Sequence, residues 1–383
     1  MTTASIANLL LLGSEKDLDS ERGVSCEGQL PPASDPDLIE RARIAREKLG
    51  DQAYILGHHY QRDEIIAFAD VTGDSFKLAQ AAANRPEAKY IVFCGVHFMA
   101  ESADILTSGN QQVVLPDLAA GCSMADMASG EQVARCWEQL NQLGLATGTV
   151  PVTYMNSSAQ IKAFTGRNGG TICTSSNART AMNWALEQGE RILFLPDQHL
   201  GRNTAVLQLG ISLDQCVTWD PWKPMGGLSE ADLRSAKVIL WRGHCSVHGR
   251  FTVESVNEVR NRIPDVKVLV HPECTHDVVR SADLVGSTEF IIRTIASAPS
   301  GSSWAIGTEL NLVQRLAESH PDKKIVFLDK AVCYCSTMNR IDLPHLVWAL
   351  ESLVDGRVVN QISVEPNIAK YAKIALDRML SLT

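Results

Sequence analysis

Short apolar segments alternating with helical ones predict an α/β fold for this chain, and the alternation runs through three times. Each pass begins with an apolar strand ending on two polar residues two positions apart: His58 and Tyr60, Tyr154 and Asn156, His271 and Glu273. Each then reaches a serine ahead of a helical run, Ser75, Ser175 and Ser287, and closes on a cysteine, Cys122, Cys245 and Cys335. Cys122 follows its serine by 47 residues and Cys335 by 48, whereas Cys245 follows by 70. Self-similarity at a long period marks a repeated structural unit. The expected fold is therefore three repeated α/β units, each a short parallel sheet flanked by helices.

Taken in order, residues 1–37 carry charge, serine and proline without periodicity and read as a poorly ordered extension. Pro36 to Gly50 follows a helical pattern, with Leu38, Ala42, Ile44 and Leu49 on the apolar side and Gly50 at its end. This helix leads the first repeat, residues 38–149, with strands expected at Ala53–Leu56, Tyr90–Cys94 and Gln112–Leu115. The second repeat, 150–265, has strands at Val150–Tyr154, Arg191–Leu195 and Lys237–Trp241. Pro221, Trp222, Pro224, Gly226 and Gly227 mark a loop inserted near 216–235, which accounts for the longer spacing to Cys245. The third repeat, 266–383, has strands at Val266–Val270, Ser303–Ile306 and Lys324–Leu328, then helices from about Ile341 to Met379. Right-handed crossovers put the C-terminal ends of parallel strands on one edge, where a site is expected.

Composition narrows the function. A content of 45% hydrophobic residues suits a chain that buries real cores. A net charge of −9 and a pI near 5.6 argue against a nucleic-acid groove, which needs clustered Lys and Arg. No apolar run reaches about 18 residues, so no membrane span is expected. Leu9–Leu12 is followed at once by Glu15, Asp17 and Asp19, which does not read as a signal peptide. A cytoplasmic location is expected, and there ten cysteines are not disulfide material.

Side chains at i and i+2 of a strand share a face, so each polar pair can present both groups to one cavity. Glu273 is the natural base, with tyrosine or histidine the natural acid, for proton movement beside a carbonyl. The three serines read as N-caps of helices whose free amides bind carboxylate or phosphate, which lets an acidic protein hold an anionic substrate. Cys26, Cys94, Cys136, Cys173, Cys216 and Cys274 read as small buried hydrophobes. Cys122, Cys245 and Cys335 lie on loops after the last strand of each repeat, and three thiolates suggest a 4Fe-4S cluster with one open iron or a zinc with one open site. Iron and sulfur are favoured, because an open iron can draw off a hydroxyl. Cys333 stands two residues from Cys335 and leaves the third ligand ambiguous.

The motifs that carry these residues resemble quinolinate synthases over roughly Gln52 to Asn339. They are Gly57-His58-His59-Tyr60-Gln61, Gly73-Asp74-Ser75, Ala120-Gly121-Cys122, Tyr154-Met155-Asn156-Ser157-Ser158, Cys173-Thr174-Ser175-Ser176-Asn177-Ala178, Gly243-His244-Cys245-Ser246-Val247-His248, His271-Pro272-Glu273-Cys274 and Gly286-Ser287-Thr288. The resemblance implies three related α/β domains about a pseudo-threefold axis with a central active site. It implies a 4Fe-4S cluster on Cys122, Cys245 and Cys335, and condensation of iminoaspartate with dihydroxyacetone phosphate to quinolinate in NAD biosynthesis. By the same resemblance Tyr60, His271 and Glu273 are acid/base residues, and His58, Ser75, Tyr154, Asn156, Ser175, His248, Ser287 and Thr288 bind substrate. Functional coupling to an L-aspartate-oxidising enzyme would follow. Two other readings compete. A cluster- or zinc-binding sensor would not need Glu273 and Tyr60, and a hydro-lyase for another hydroxy acid would not need both carboxylate and phosphate sites.

Overall fold

The computed structural model describes residues 30–107, 109–330 and 334–382. Cys26, Cys333 and most of the extension expected at 1–37 lie outside the described residues. The chain divides into two compact units, one running up to Cys122 and taking in Ser336–Ser363, the other made of Ser123–Cys335 with Val364–Thr383.

In the first unit the strands are β1 (Ala53–His58), β2 (Val71–Gly73), β3 (Tyr90–Cys94) and β4 (Gln112–Val114), hydrogen-bonded in the order β2-β1-β3-β4 and all parallel. β1 and β3 are buried along their whole length, as a parallel sheet covered on both faces requires. The second unit holds two sheets. One contains β5 (Thr149–Tyr154), β6 (Thr171–Cys173), β7 (Arg191–Leu195), β8 (Cys216–Trp219) and β9 (Val238–Trp241), in the order β6-β5-β7-β9-β8. The other contains β10 (Lys267–Val270), β11 (Leu284–Val285), β12 (Ser303–Gly307) and β13 (Lys324–Phe327), in the order β11-β10-β12-β13. A final short strand, β14 (Gln361–Ile362), pairs antiparallel with β4.

One strand order thus recurs three times, and the expected repeated α/β units with parallel sheets are present. The nine expected strands all form, with ends within two residues. Each repeat also has a strand that the pattern did not reveal: β2, β6 and β11 are two or three residues long and sit between the polar pair and the serine. Such short pieces have no period of their own and are held by pairing to β1, β5 and β10. The segment expected as an inserted loop also contains structure, since β8 adds a fifth strand parallel to β9.

The C-terminal helices, expected with the third repeat, pack elsewhere. Leu343–Val354 lies against Leu38–Leu49 in the first unit, and Pro366–Ser381 lies against Ala159–Arg167 in the second. Apolar faces announce that a helix docks without saying where. Gly166 makes the second contact possible, because a Cβ there would lie 2.0 Å from the Tyr371 carbonyl oxygen. On the leading helix Leu38, Ala42, Ala45 and Leu49 are buried, whereas Ile44 is exposed.

The core around β5–β9 is anchored by Trp241, fully buried, whose Nε1 donates to the Met127 carbonyl at 2.7 Å. Truncating it to alanine would cost about 3–5 kcal/mol.

Candidate active site

The loops after β5, β9, β10 and β12 bring four of the expected residues together in the second unit. Glu273, 3% exposed, accepts a hydrogen bond from the Tyr154 hydroxyl on Oε1 at 2.6 Å and lies 2.9 Å from His248 Nδ1 through Oε2. An ionised carboxylate can only accept, so Nδ1 of His248 carries the proton. On its other side His248 Nε2 is 3.2 Å from the Thr308 hydroxyl. His271 stacks on His248, ring centres 4.5 Å apart, and its Nδ1 is 3.8 Å from Glu273 Oε1.

Burial opposes the charge on Glu273, but neighbouring His248 and His271 and the hydrogen bonds from His248 and Tyr154 outweigh it and bring its pKa down to about 2. His271 is driven the other way for a base: burial, then the charge of His248, bring it down to about 3, so it is neutral at ordinary pH.

Local structure explains why these groups converge. After β10 the chain turns, and the Glu273 N–H points at His271 Nδ1 at 3.4 Å. Asn203 clamps the turn by donating from Nδ2 to the carbonyls of Pro272 and Cys274, both at 2.9 Å. Glu273 and His271 therefore belong to a tight turn rather than to a continuing strand, which is how a carboxylate and an imidazole two positions apart come within 4 Å.

The first unit repeats this turn after β1. Tyr60 N–H donates to His58 Nδ1 at 3.1 Å, and the two rings meet edge to face at 4.8 Å. Tyr60 is half-buried, His58 buried.

The serines do not all cap helices as expected. Ser287 does, accepting from the Phe290 N–H at 3.3 Å, with Thr288 buried at the first helical position. Ahead of Ser75–Ala83 the cap is Asp74, whose carboxylate accepts from Phe76 and Lys77 and leaves Ser75 at the first helical position. Ser175 sits two residues before Asn177, the N-cap of Ala178–Gln188, whose side chain folds back to accept from Thr174 N–H at 2.8 Å. A charged or amide acceptor next to serine takes the cap position. Asn156 and Ser175 are both half-buried.

The described cysteines fall into two groups by burial. Cys94, Cys136, Cys173, Cys216 and Cys274 are buried, and burial pushes every one of these thiols up, Cys94 to about 12 and Cys216 to about 11, so they remain protonated. Cys122, Cys245 and Cys335 are only half-buried. Within the second unit Cys245, His248 and Glu273 each bring a ligand-type atom within 4.8 Å of the others, a donor set that can hold a metal.

Four residues near this centre were not anticipated: Asn203, Thr308, Asp197 and Glu309. Asp197 is fully buried, and burial followed by the negative charge of Glu273 pushes its carboxyl well above the ordinary range. Burial pushes Glu309 up to about 7. Their signal in the sequence was their common place, two residues after β7 and β12.

Parallel α/β repeats that gather proton-handling side chains on the loops after their strands define an enzyme of the class that works at the C-terminal edges of its sheets. Relatives narrow the class. The family described as "Quinolinate synthetase A protein" matches residues 42–381. The quinolinate synthase of Streptomyces coelicolor is 70% identical over 376 residues, covering 98% of this chain and 95% of that protein. That of Nocardioides sp. is 69% identical over 388 residues (100% and 98%), and that of Corynebacterium glutamicum 58% identical over 350 residues (91% and 89%). The chain belongs to the quinolinate synthase family and is an enzyme. Among the described residues no helix is long and apolar enough to cross a membrane.

Proposed function

We propose that the enzyme condenses iminoaspartate with dihydroxyacetone phosphate to quinolinate, releasing phosphate and two waters, as a step in NAD biosynthesis. The atoms balance without an external oxidant. The observation that best supports a proton-moving role is the carboxylate of Glu273 held between the Tyr154 hydroxyl and His248.

Cys122, Cys245 and Cys335 would hold a 4Fe-4S cluster, and the group fits because these three thiols alone among the described cysteines escape full burial. Bound there, it would supply a Lewis-acidic iron for loss of a hydroxyl. Glu273 stays ionised across the neutral range and accepts a proton beside a carbonyl. Its low pKa makes it a weak base that gives the proton up again readily, while Tyr154 and His248 keep donating to its two oxygens. Tyr60 and His271 complete the acid/base set. His58, Ser75, Tyr154, Asn156, Ser175 and His248 contact substrate, while Ser287 and Thr288 at a helix N-terminus bind its carboxylate or phosphate. The reading carries a cytoplasmic location, where the buried thiols stay reduced, and an L-aspartate-oxidising enzyme to supply iminoaspartate.

A second reading takes the Cys245, His248 and Glu273 donor set at face value as a single zinc site. It is disfavoured because Tyr154 and His248 already donate to one oxygen each of Glu273. Protein purified without oxygen decides. The proposal expects iron and sulfide in about equal amounts, visible absorption that disappears in Cys245→Ser but not in Cys136→Ser, and quinolinate formation. Full iron in Cys245→Ser, or zinc without sulfide, would overturn it.

A further inference from the structure

Two of the three repeats place a buried carboxyl group at one position, and each reaches a candidate cluster cysteine. In the third repeat Glu309, two residues after β12, is the N-cap of the helix Leu310–Ser319. Its Oε2 accepts from the N–H groups of Asn311 at 2.8 Å and Leu312 at 3.3 Å, while its Oε1 accepts from the backbone N–H of Cys335 at 3.3 Å. In the second repeat Asp197, two residues after β7, is the N-cap of Gln198–Asn203. Its Oδ1 accepts from His199 at 2.6 Å and Leu200 at 2.9 Å, its buried Oδ2 makes no hydrogen bond, and the backbone N–H of Cys245 is among the groups that act on this carboxyl. Neither residue is exposed at all.

A backbone tether accompanies the side chain. The N–H of Gln198 donates to the carbonyl of Gly243, two residues before Cys245, at 2.9 Å, and Asp197 pairs with Gly243 as an isolated parallel bridge. Only glycine fits there, since a Cβ would lie 2.2 Å from the Pro196 carbonyl oxygen. The first repeat keeps this tether: the N–H of His97 donates to the carbonyl of Ala120, two residues before Cys122, at 2.8 Å. It lacks the acid. The corresponding cap residue, two after β3, is Val96, which makes no side-chain cap.

We infer that Asp197 and Glu309 are positioning residues that fix the backbones of Cys245 and Cys335 to the rigid starts of neighbouring helices. A carboxyl group that only capped a helix would need no third amide. In Glu309 the two roles fall on different oxygens, so the cysteine has an acceptor of its own. An acceptor taking the cysteine's N–H sets the backbone dihedral from which the Sγ projects and keeps that N–H from any sulfur bound nearby. In the first repeat the segment after β3 offers a backbone tether and, at the position two after the strand, no side-chain acceptor.

This inference rests on the cluster proposal, and the experiment separates the two. Anaerobically reconstituted holoenzyme is challenged with an iron chelator, the release rate is followed, and the paramagnetic resonance spectrum of the reduced cluster is recorded. Glu309→Ala and Asp197→Ala are expected to release iron roughly tenfold faster than the parent, the scale of one lost hydrogen bond to a buried group, with an altered spectrum. Asp197→Asn can keep a carbonyl oxygen where Oδ1 stands and should release within about twofold of the parent rate, whereas Glu309→Gln has one oxygen for the work of two and should fall between the parent and Glu309→Ala. Glu365→Ala removes a carboxylate cap from Pro366–Ser381 that has no cysteine on it, and should leave release and spectrum unchanged. Parent-like release from both alanine variants, or equally fast release from Glu365→Ala, overturns the inference. If the alanine variants do not fold, amide exchange in the parent protein gives the answer: slow exchange at Cys335 supports the tether, and exchange at the rate of an open loop overturns it. Cys245→Ser and Cys335→Ser protein that retains full iron would instead overturn the cluster proposal and leave this inference without its base.

Discussion

After β1 and after β10 the chain makes the same turn around a histidine, yet the two turns carry groups in opposite states. His58 and His271 each offer Nδ1 to the N–H two residues on, at 3.1 and 3.4 Å. On the β10 turn that next residue, Glu273, is sealed from solvent and held as an anion by Tyr154 and His248. On the β1 turn it is Tyr60, half-buried and packed edge-on against its own histidine. A repeated backbone fixes where a side chain starts, while the neighbours it meets decide whether it is a locked charge or a partly open group.

The hardest test of that contrast is Glu273→Gln. Turnover should fall ~100-fold or more, the scale of a lost general base. The melting temperature should also fall by a few degrees, because a neutral amide replaces the anion between two donors. Iron content should hold; its loss would make Glu273 a metal ligand. Tyr60→Phe should lower turnover by about tenfold or more while moving the melting temperature by less than about 1 °C, since ring packing and the backbone bond to His58 survive. Equal destabilisation in the two variants would erase the distinction between locked and accessible turns. Tyr154→Phe removes one hydrogen bond to a buried charge, so a loss of about tenfold in turnover is expected with the fold intact.

The smallest effect lies in pH. The folded pKa of His271, about 3, is below the ordinary histidine value, so below pH 6.5 the unfolded chain binds more protons than the native one. Its contribution to stability is present above that pH and is lost as the pH falls toward 3; that of Glu273, depressed to about 2, fades over a lower window. Urea midpoints between pH 7 and 4 should decline for the parent and decline less steeply for His271→Asn. An unchanged slope would mean that His271 is not held neutral by its surroundings.

The sheets were legible because each long strand is a continuous apolar run with a recurring polar ending. β2, β6 and β11 were not, since two or three residues carry no pattern and exist only through pairing. The candidate site was half legible. His271, Glu273, Tyr154 and His248 could each be picked out, but the bond joining Tyr154 to Glu273 spans 119 residues and depends on how two sheets pack. Thr308 and Asn203 serve through contacts of the same kind. Asp197 and Glu309 could have been found by asking what stands two residues after the second long strand of each repeat. Val96 breaks that pattern, and so conceals it.

Both compact units are discontinuous in sequence, and this shapes how the chain is made. The first needs Ser336–Ser363 to supply β14 and the helix against Leu38–Leu49, and the second needs the last helix to cover Ala159–Arg167 beside Gly166. A ribosome adding roughly 5–20 residues per second leaves the first unit unfinished for some ten seconds or more while the intervening chain emerges. The first unit cannot close on the nascent chain until Ser336–Ser363 has emerged, nor the second until Pro366–Ser381 has. The apolar face of Leu38–Leu49 is left waiting in the meantime, a natural hold for a chaperone. A stop codon ahead of Pro366 would deprive the second unit of the helix that covers Ala159–Arg167.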